Sequence, residues 1–356
     1  TYFIQNNTGF TKEQLPEYFE NASVIEAHDY DNDGDLDVFI GSNSVSNNFG
    51  AIPNNYILKN NKGSFSLLKN QPFQNIGMIT DAIWEDYNSD GFTDLILVGE
   101  WMSPKFFVNK EGSFKEEKII DSGLKGLWQQ ITPFDIDKDG DMDYLLGNWG
   151  ENSKFKATKK HPLRMYYADF DGNGSTETIL CNYKNGSYYP LLGLDELASQ
   201  IVSLRKKFTT YKSMAGKSID EIFEKSILNK ATILEVHTLA SGYLKNENNR
   251  FEFVPFINEL QVSPISSFLE YDFNFDGENE ILAAGNYFGV TPFHGRFDSF
   301  PGALIIDEGQ VILGNKIGLD FSLKAVKKLD IIKVNNKPYV LATINNDKAQ
   351  VYQLME

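Results

Sequence analysis

Five stretches of nine residues carry oxygen-bearing side chains at fixed positions around one glycine. They are Asp29, Asp31, Asp33, Asp35 and Asp37; Asp86, Asn88, Asp90 and Asp94; Asp135, Asp137, Asp139, Asp141 and Asp143; Asp169, Asp171, Asn173, Ser175 and Glu177; and Asp272, Asn274, Asp276, Glu278 and Glu280. Position 6 is glycine each time: Gly34, Gly91, Gly140, Gly174 and Gly277. Acids or amides at positions 1, 3 and 5 face inward as such a bend curls. Position 7 (Phe92 in the second stretch) can add its carbonyl, and the acid at position 9 closes the shell. A set made only of oxygens suits a hard cation. Calcium, with six to eight oxygen ligands in flexible geometry, fits better than magnesium, which wants a strict octahedron. Soft metals want His or Cys, which these bends lack. Up to five Ca²⁺ ions are expected.

Helical Ca²⁺ loops need a bidentate Glu at position 12. Here position 12 is Ile40, Leu97, Leu146, Leu180 and Ala283, so the ligand set ends at position 9 and an apolar run begins. Polar turns without metal are the bland alternative, since Asp and Gly favour turns anyway. Five copies with the same glycine and the same flanks argue against it. The first and third loops, with five acids each, are expected to bind tightest, and the fourth weakest.

The elements that must position these bends read as strands. Short runs rich in β-branched and aromatic residues precede and follow each one, and the following runs close on Ile40-Gly41, Val98-Gly99, Leu146-Gly147 and Ala284-Gly285. Each bend thus joins two antiparallel strands. Second hairpins are read at Tyr56–Phe65, Phe106–Phe114 and Tyr243–Phe251, and another at Tyr2–Phe10. Two hairpins make a four-stranded blade, so the expected fold is an all-β propeller of four-stranded blades, six by count and seven if merged segments are separate. The last unit, from Ala325 to Leu354, lacks the acids, and Tyr2–Phe10 is expected to complete it. The whole chain, 1–356, is read as a single domain.

One region breaks the pattern. Leu194, Leu197, Ile201, Leu204 and Phe208 recur at helical spacing. Ser218-Ile219-Asp220-Glu221 forms a capping box before Ile222, Phe223 and Ile227. A helical pair over 194–229 is expected, inserted within the fourth blade, either as a cap packed on the propeller or as a partner-docking element.

The chain has 356 residues, is 41% hydrophobic and carries a formal charge of −16. Twenty of its 49 acids lie in the five loops. A chain this acidic is a poor candidate for nucleic acid or anionic membranes, because phosphate binding needs clustered Lys and Arg. The one cysteine, Cys181, permits no internal disulfide and reads as a buried small hydrophobe. No run of 18 apolar residues exists, so no transmembrane segment is expected. Thr1 opens no signal peptide, and any export signal or lipid anchor would lie outside these residues.

The Asp-x-Asp-x-Asp-Gly loops resemble those of the FG-GAP/VCBS repeat family, as in integrin α-subunit propellers, and Phe49-Gly50-Ala51-Ile52-Pro53 echoes the name-giving motif. The segments Thr80–Trp84, Val98–Met102, Gly147–Gly150, Tyr189–Leu191 and Arg296–Gly302 are similar to the C-terminal propeller of bacterial VCBS-repeat proteins of the ASPIC/UnbV group. The resemblance runs over nearly the whole chain and implies export, often as a surface lipoprotein. The ASPIC/UnbV module itself is not visible.

A non-enzymatic binding or scaffold module at the outer-membrane or extracellular surface is the expected function, with a protein or glycan partner. Trp101, Trp149, Tyr287 and Phe288 follow blade strands; each reads first as core, with an aromatic platform as the functional alternative. The competing class is a lyase or hydrolase acting on polysaccharide. His28, His161, His237 and His294 are scattered without metal spacing, and no Gly-x-Ser-x-Gly elbow appears.

Overall fold

The computed structural model describes residues 2–6, 9–14, 20–121, 123–291 and 294–354. Among them the chain is all-β with a few short helices, arranged as successive four-stranded antiparallel sheets of the kind that form blades. Glu20–His28, Asp37–Val45, Tyr56–Asn61 and Ser64–Leu67 make the first four-stranded sheet in chain order, called the first sheet below. Met78–Glu85, Asp94–Met102, Lys105–Lys110 and Ser113–Glu117 make the second, with Gly126–Leu127 added against Asp94–Met102. Ile265–Tyr271, Glu280–Gly285, Ala303–Ile305 and Val311–Leu313 form a further sheet of the same order. Val326–Val334, Lys337–Ile344 and Gln350–Gln353 form a three-stranded one.

Second strands explain how the sheets stack. Such a strand is buried on both faces, so it reads as a continuous apolar run instead of an alternating one. Its side chains still alternate, but between two interfaces. Leu95 and Leu97 pack toward Phe39 and Ile57 of the first sheet, while Ile96 and Val98 pack toward Tyr144 and Leu146 of the third. Ile281 and Ala283 join Leu145 and Tyr243, whereas Leu282 and Ala284 join Val326 and Val340. The first strands of consecutive sheets touch in series, from Glu20–His28 through Met78–Glu85, Gln130–Pro133 and Ile265–Tyr271 to Val326–Val334. The glycines that close the second strands permit this approach. A Cβ on Gly147 would lie 2.3 Å from the Ile265 carbonyl oxygen of the next sheet.

The third sheet departs from the simple repeat. Gln130–Pro133 and Tyr144–Gly147 pair with each other, and the next strand in the sheet is Gly242–Asn246, followed by Phe251–Pro255. Residues 148–241 therefore form an excursion between two neighbouring strands. The excursion carries its own sheet, in the order Ser187–Pro190, Glu177–Lys184, Leu163–Ala168, Thr232–Val236. Its last strand pairs with its first, an order that differs from the other sheets. The fourth acidic loop thus lies outside the serial stack, and the Tyr243–Phe251 hairpin completes the third sheet instead of the fourth. Periodicity within each hairpin is the same in both arrangements, so local pattern does not separate them.

Two further expectations are corrected. The helical pair is a run of five short helices: Leu194–Gln200, Leu204–Lys207, Tyr211–Met214, Ile219–Ile222 and Lys225–Leu228. The expected apolar face is present: Leu194, Leu197, Ile201, Leu204 and Phe208 are all buried in one cluster with Tyr166, Ile179 and Cys181. Thr210 caps a new helix through the Ser213 amide, which breaks the longer periodic run. The predicted box at Ser218 and Glu221 is present. At the N-terminus, Tyr2–Asn6 pairs with Gly9–Glu13; the described strands pair these two with each other and not with the three-stranded sheet. Asn7 and Thr8 of that hairpin lie outside the described residues.

Candidate metal centres

All five acidic bends connect the first and second strands of a hairpin, as expected. Their backbones share two left-handed positions. Glycine at position 6 has φ between +89° and +96° in every loop, a region that L side chains rarely adopt. Position 4 is left-handed too: Asn32 (57°), Ser89 (56°), Lys138 (59°), Gly172 (76°) and Phe275 (60°). Asparagine and glycine tolerate this conformation, whereas Lys138 and Phe275 adopt it against their preference.

These two inversions turn amides into the loop, where the position 1 carboxylate collects them. Asp29 accepts from the amides of Asp33 (3.0 Å) and Gly34 (2.9 Å). Asp86 does the same with Asp90 and Gly91, Asp135 with Asp139 and Gly140, Asp169 with Asn173 and Gly174, and Asp272 with Asp276 and Gly277. The position 5 side chain accepts from the amide at position 7 in all five. These bonds hold Asp33, Asp169 and Asp276 below the usual carboxylate range.

Position 9 is the opposite case. Asp37, Asp94, Asp143, Glu177 and Glu280 are buried. Burial pushes Asp37 and Asp143 up to about 6 and Asp94 up to about 7, and it raises Glu177 and Glu280. In the first three loops the position 9 aspartate accepts from a third-strand amide at 2.7 Å: Asn60, Asn109 or Asn246. The fourth and fifth loops use the longer Glu, which accepts from the position 2 amide of Phe170 (3.0 Å) or Phe273 (2.9 Å).

The test of fit to a cation is what these oxygens leave over. Asp31 Oδ1, Asp37 Oδ2, Asp94 Oδ2 and Asp171 Oδ1 are shut off from solvent and take no hydrogen bond. A buried carboxylate oxygen without a donor is costly unless something positive meets it. Three triads bring one oxygen each within 4.8 Å of one another: Asp29, Asp31 and Asp33; Asp135, Asp137 and Asp143; and Asp169, Asp171 and Glu177. The donor set is entirely oxygen. These clusters can hold a hard divalent ion.

Two kinds of residue that hold these loops carry no distinctive signal in the sequence. The first is the third-strand asparagine. Asn109 donates to the Thr93 carbonyl (3.0 Å) and to Tyr30 of the preceding loop (2.8 Å), and accepts from Gly112. Asn60 and Asn246 bridge in the same way to Leu36 and Gly63, and to Met142 and Asn249. The signal was present as Asn with Gly or Asn three residues on, which reads as ordinary turn chemistry. The second is a lysine just before two of these asparagines. Lys59 pairs with Asp31 and Asp33, and Lys245 pairs with Asp137 at 2.6 Å. Each ammonium neutralises carboxylates of an acidic loop.

The four aromatics separate. Trp101 is buried, and Trp149 and Tyr287 pack at 5.4 Å within the same apolar cluster as Phe155 and Phe297. Phe288 carries the Arg296 guanidinium at 4.1 Å. Cys181 is buried, as expected. Each histidine packs on an aromatic ring or bonds backbone: His28 on Trp84, His161 on Tyr183, His294 against Phe155, and His237 to the Gly123 carbonyl.

Fold and loops together define an all-β protein built from repeated hairpins with acidic bends, three of which gather carboxylates that could hold a metal ion. Residues 29–97 and 86–146 match the FG-GAP-like repeat. These two stretches contain the first three loops. No curated protein matches the chain. Among solved structures it is similar to the crystal structure of the V. cholerae biofilm matrix protein Bap1, with a TM-score of 0.37 and 9% identity, over 98% of this chain and 72% of that one.

Proposed function

We propose that the chain is a calcium-stabilised β-propeller exposed at the cell surface or secreted, serving as a non-enzymatic scaffold that binds a protein or glycan within an outer-membrane-associated assembly. The observation that carries the calcium reading is the set of buried, unpartnered carboxylate oxygens in the acidic loops. Asp29, Asp31 and Asp33, with Asp37 behind them, would hold the first ion; the corresponding residues of the other four loops would hold the rest. A bound ion would offset the carboxylate repulsion that otherwise loosens each hairpin.

Ring closure is part of the same proposal. The serial contact of the first strands, from Glu20–His28 through to Val326–Val334, favours sheets set around a common axis, a ring in which the last sheet would meet the first. On that reading five sheets form the ring and the excursion stands outside it. Within the FG-GAP/VCBS proteins, the segments around Trp84, Trp101 and Trp149 favour the ASPIC/UnbV-associated group. The scaffold role is favoured by histidines that stand apart from one another, each against an aromatic ring or a backbone carbonyl, with His237 also 3.6 Å from Glu235.

Calorimetric titration with Ca²⁺, followed by melting in calcium and in chelator, tests this. Chelation is expected to lower the melting temperature by many degrees, with Asp33→Ala and Asp139→Ala each producing part of that loss. A melting curve indifferent to chelator would overturn the calcium reading. Capture of a partner or glycan from outer-membrane extract, lost on chelation, tests the binding role.

A further inference from the structure

The excursion at 148–241 holds a cleft of about 580 Å³ between its edge strand Ser187–Pro190 and the helices behind it. That volume suits a small ligand. Its lining differs in charge from the rest of the chain. In a protein of net charge −16, the residues facing this cleft include Lys184 and Lys217 and no Asp or Glu. Lys184 is exposed in the hairpin between two strands of the excursion sheet and forms no ion pair among the described residues. Lys217 has Glu221 at 3.6 Å, but the other Glu221 oxygen is held by the Ser218 amide and hydroxyl.

The walls are aromatic with polar tips. Tyr189 stands on the edge strand, and Tyr211 faces the cleft from its helix, with its hydroxyl held by Asp195, which in turn pairs with Arg205. Asn185 adds an amide at the rim, and Leu194, Met214 and Ile222 form an apolar floor. Tyrosine offers a large apolar face and a hydroxyl at once. Ammonium groups bind carboxylates or sulfates through charge-assisted hydrogen bonds.

We propose that this cleft is the ligand site of the excursion and takes an acidic sugar residue, its ring against the tyrosines and its carboxylate or sulfate between Lys184 and Lys217. A hydrocarbon would leave the ammoniums and the amide unused, and a neutral sugar would leave Lys184 without a counter-charge and Lys217 with only the 3.6 Å contact to Glu221. The inference deepens the binding role proposed above and rests on it only for the idea that the chain binds a ligand.

The test uses the full chain in calcium, with a galacturonate hexasaccharide, a chondroitin sulfate hexasaccharide and neutral cellohexaose titrated calorimetrically. At least one acidic probe is expected to bind and the neutral one to bind more than about tenfold weaker; Lys184→Ala with Lys217→Ala should weaken the acidic probe by more than about tenfold. Lys184→Arg with Lys217→Arg should restore most of it. An unchanged melting temperature in the double alanine variant separates loss of binding from loss of fold, and Tyr189→Ala supplies a second variant. Preference for uronate over sulfate, or the reverse, identifies the anion. Acidic-probe affinity unaffected by all three variants overturns this site and leaves the binding role intact. Equal binding of the neutral probe, or no binding of any probe, overturns the proposal outright, while the calcium reading stands or falls on the metal titration.

Discussion

The backbone amide of Asn109 donates to Asp94 Oδ1 at 2.7 Å, which fastens the last acid of the second loop to the third strand of its own sheet. The Asn109 side chain then reaches the carbonyl of Tyr30, in the first loop of the neighbouring sheet. One buried residue thus ties two loops and two sheets.

Asn109→Ala removes the side-chain part of that tie and strands the Tyr30 and Thr93 carbonyls. A loss of about 2–3 kcal/mol is expected from denaturant unfolding. Calcium titration should show two weakened sites, the first and second loops, with the remaining ones unchanged. Loss confined to one loop would mean that the bridge to Tyr30 contributes nothing.

Asp81 sets a dependence on pH. Its carboxylate accepts from the Ile131 amide at 2.9 Å, between the first strands of neighbouring sheets, and burial pushes it up to about 6. Glu26 opposes its ionisation and Lys328 favours it. The pKa in the folded chain lies above the ordinary value of 3.8. The proton is therefore held more tightly when folded, and the associated stability is complete below pH 4 and lost as pH rises through about 6. Asp81→Asn keeps the acceptor and removes the charge. In saturating calcium its melting temperature should exceed that of the parent at pH 7.5 and match it near pH 4.

Phe275 holds φ at +60° at position 4 of the fifth loop, with its ring partly exposed. Left-handed geometry costs a non-glycine residue about 1–2 kcal/mol, and asparagine less. Phe275→Asn should raise the urea midpoint by an amount worth about 1 kcal/mol, with calcium affinity of that loop kept. Destabilisation would show that the ring packs better than its exposure indicates.

Much of this was legible from residue spacing. Oxygen side chains at alternate positions followed by apolar runs identified all five bends and the strands on either side, because a loop of fixed length between two strands leaves a local signature. Connectivity was not legible. The hairpin at Tyr243–Phe251 has the same local pattern as those at Tyr56 and Phe106, yet it pairs with Tyr144–Gly147 across almost a hundred intervening residues. Nothing in a nine-residue window encodes that partner. Lys59 and Lys245 were equally hidden: each is an ordinary strand lysine until the fold sets it over carboxylates distant in sequence.

The excursion departs after Gly147 and rejoins at Gly242, and Leu146 is paired with Gly242 across the sheet. The point of exit and the point of return are therefore neighbours, locked by Asn148, whose amide donates to Ser241 and whose side chain reaches Thr238 and Ala240. An insert with adjoining ends behaves as a cassette. Its outer surface and length can drift, or be exchanged by design, provided the side chains that share a core with the frame, Phe155, Leu163, Met165, Val236 and Leu239 against Met78, Trp101 and Leu127, are kept.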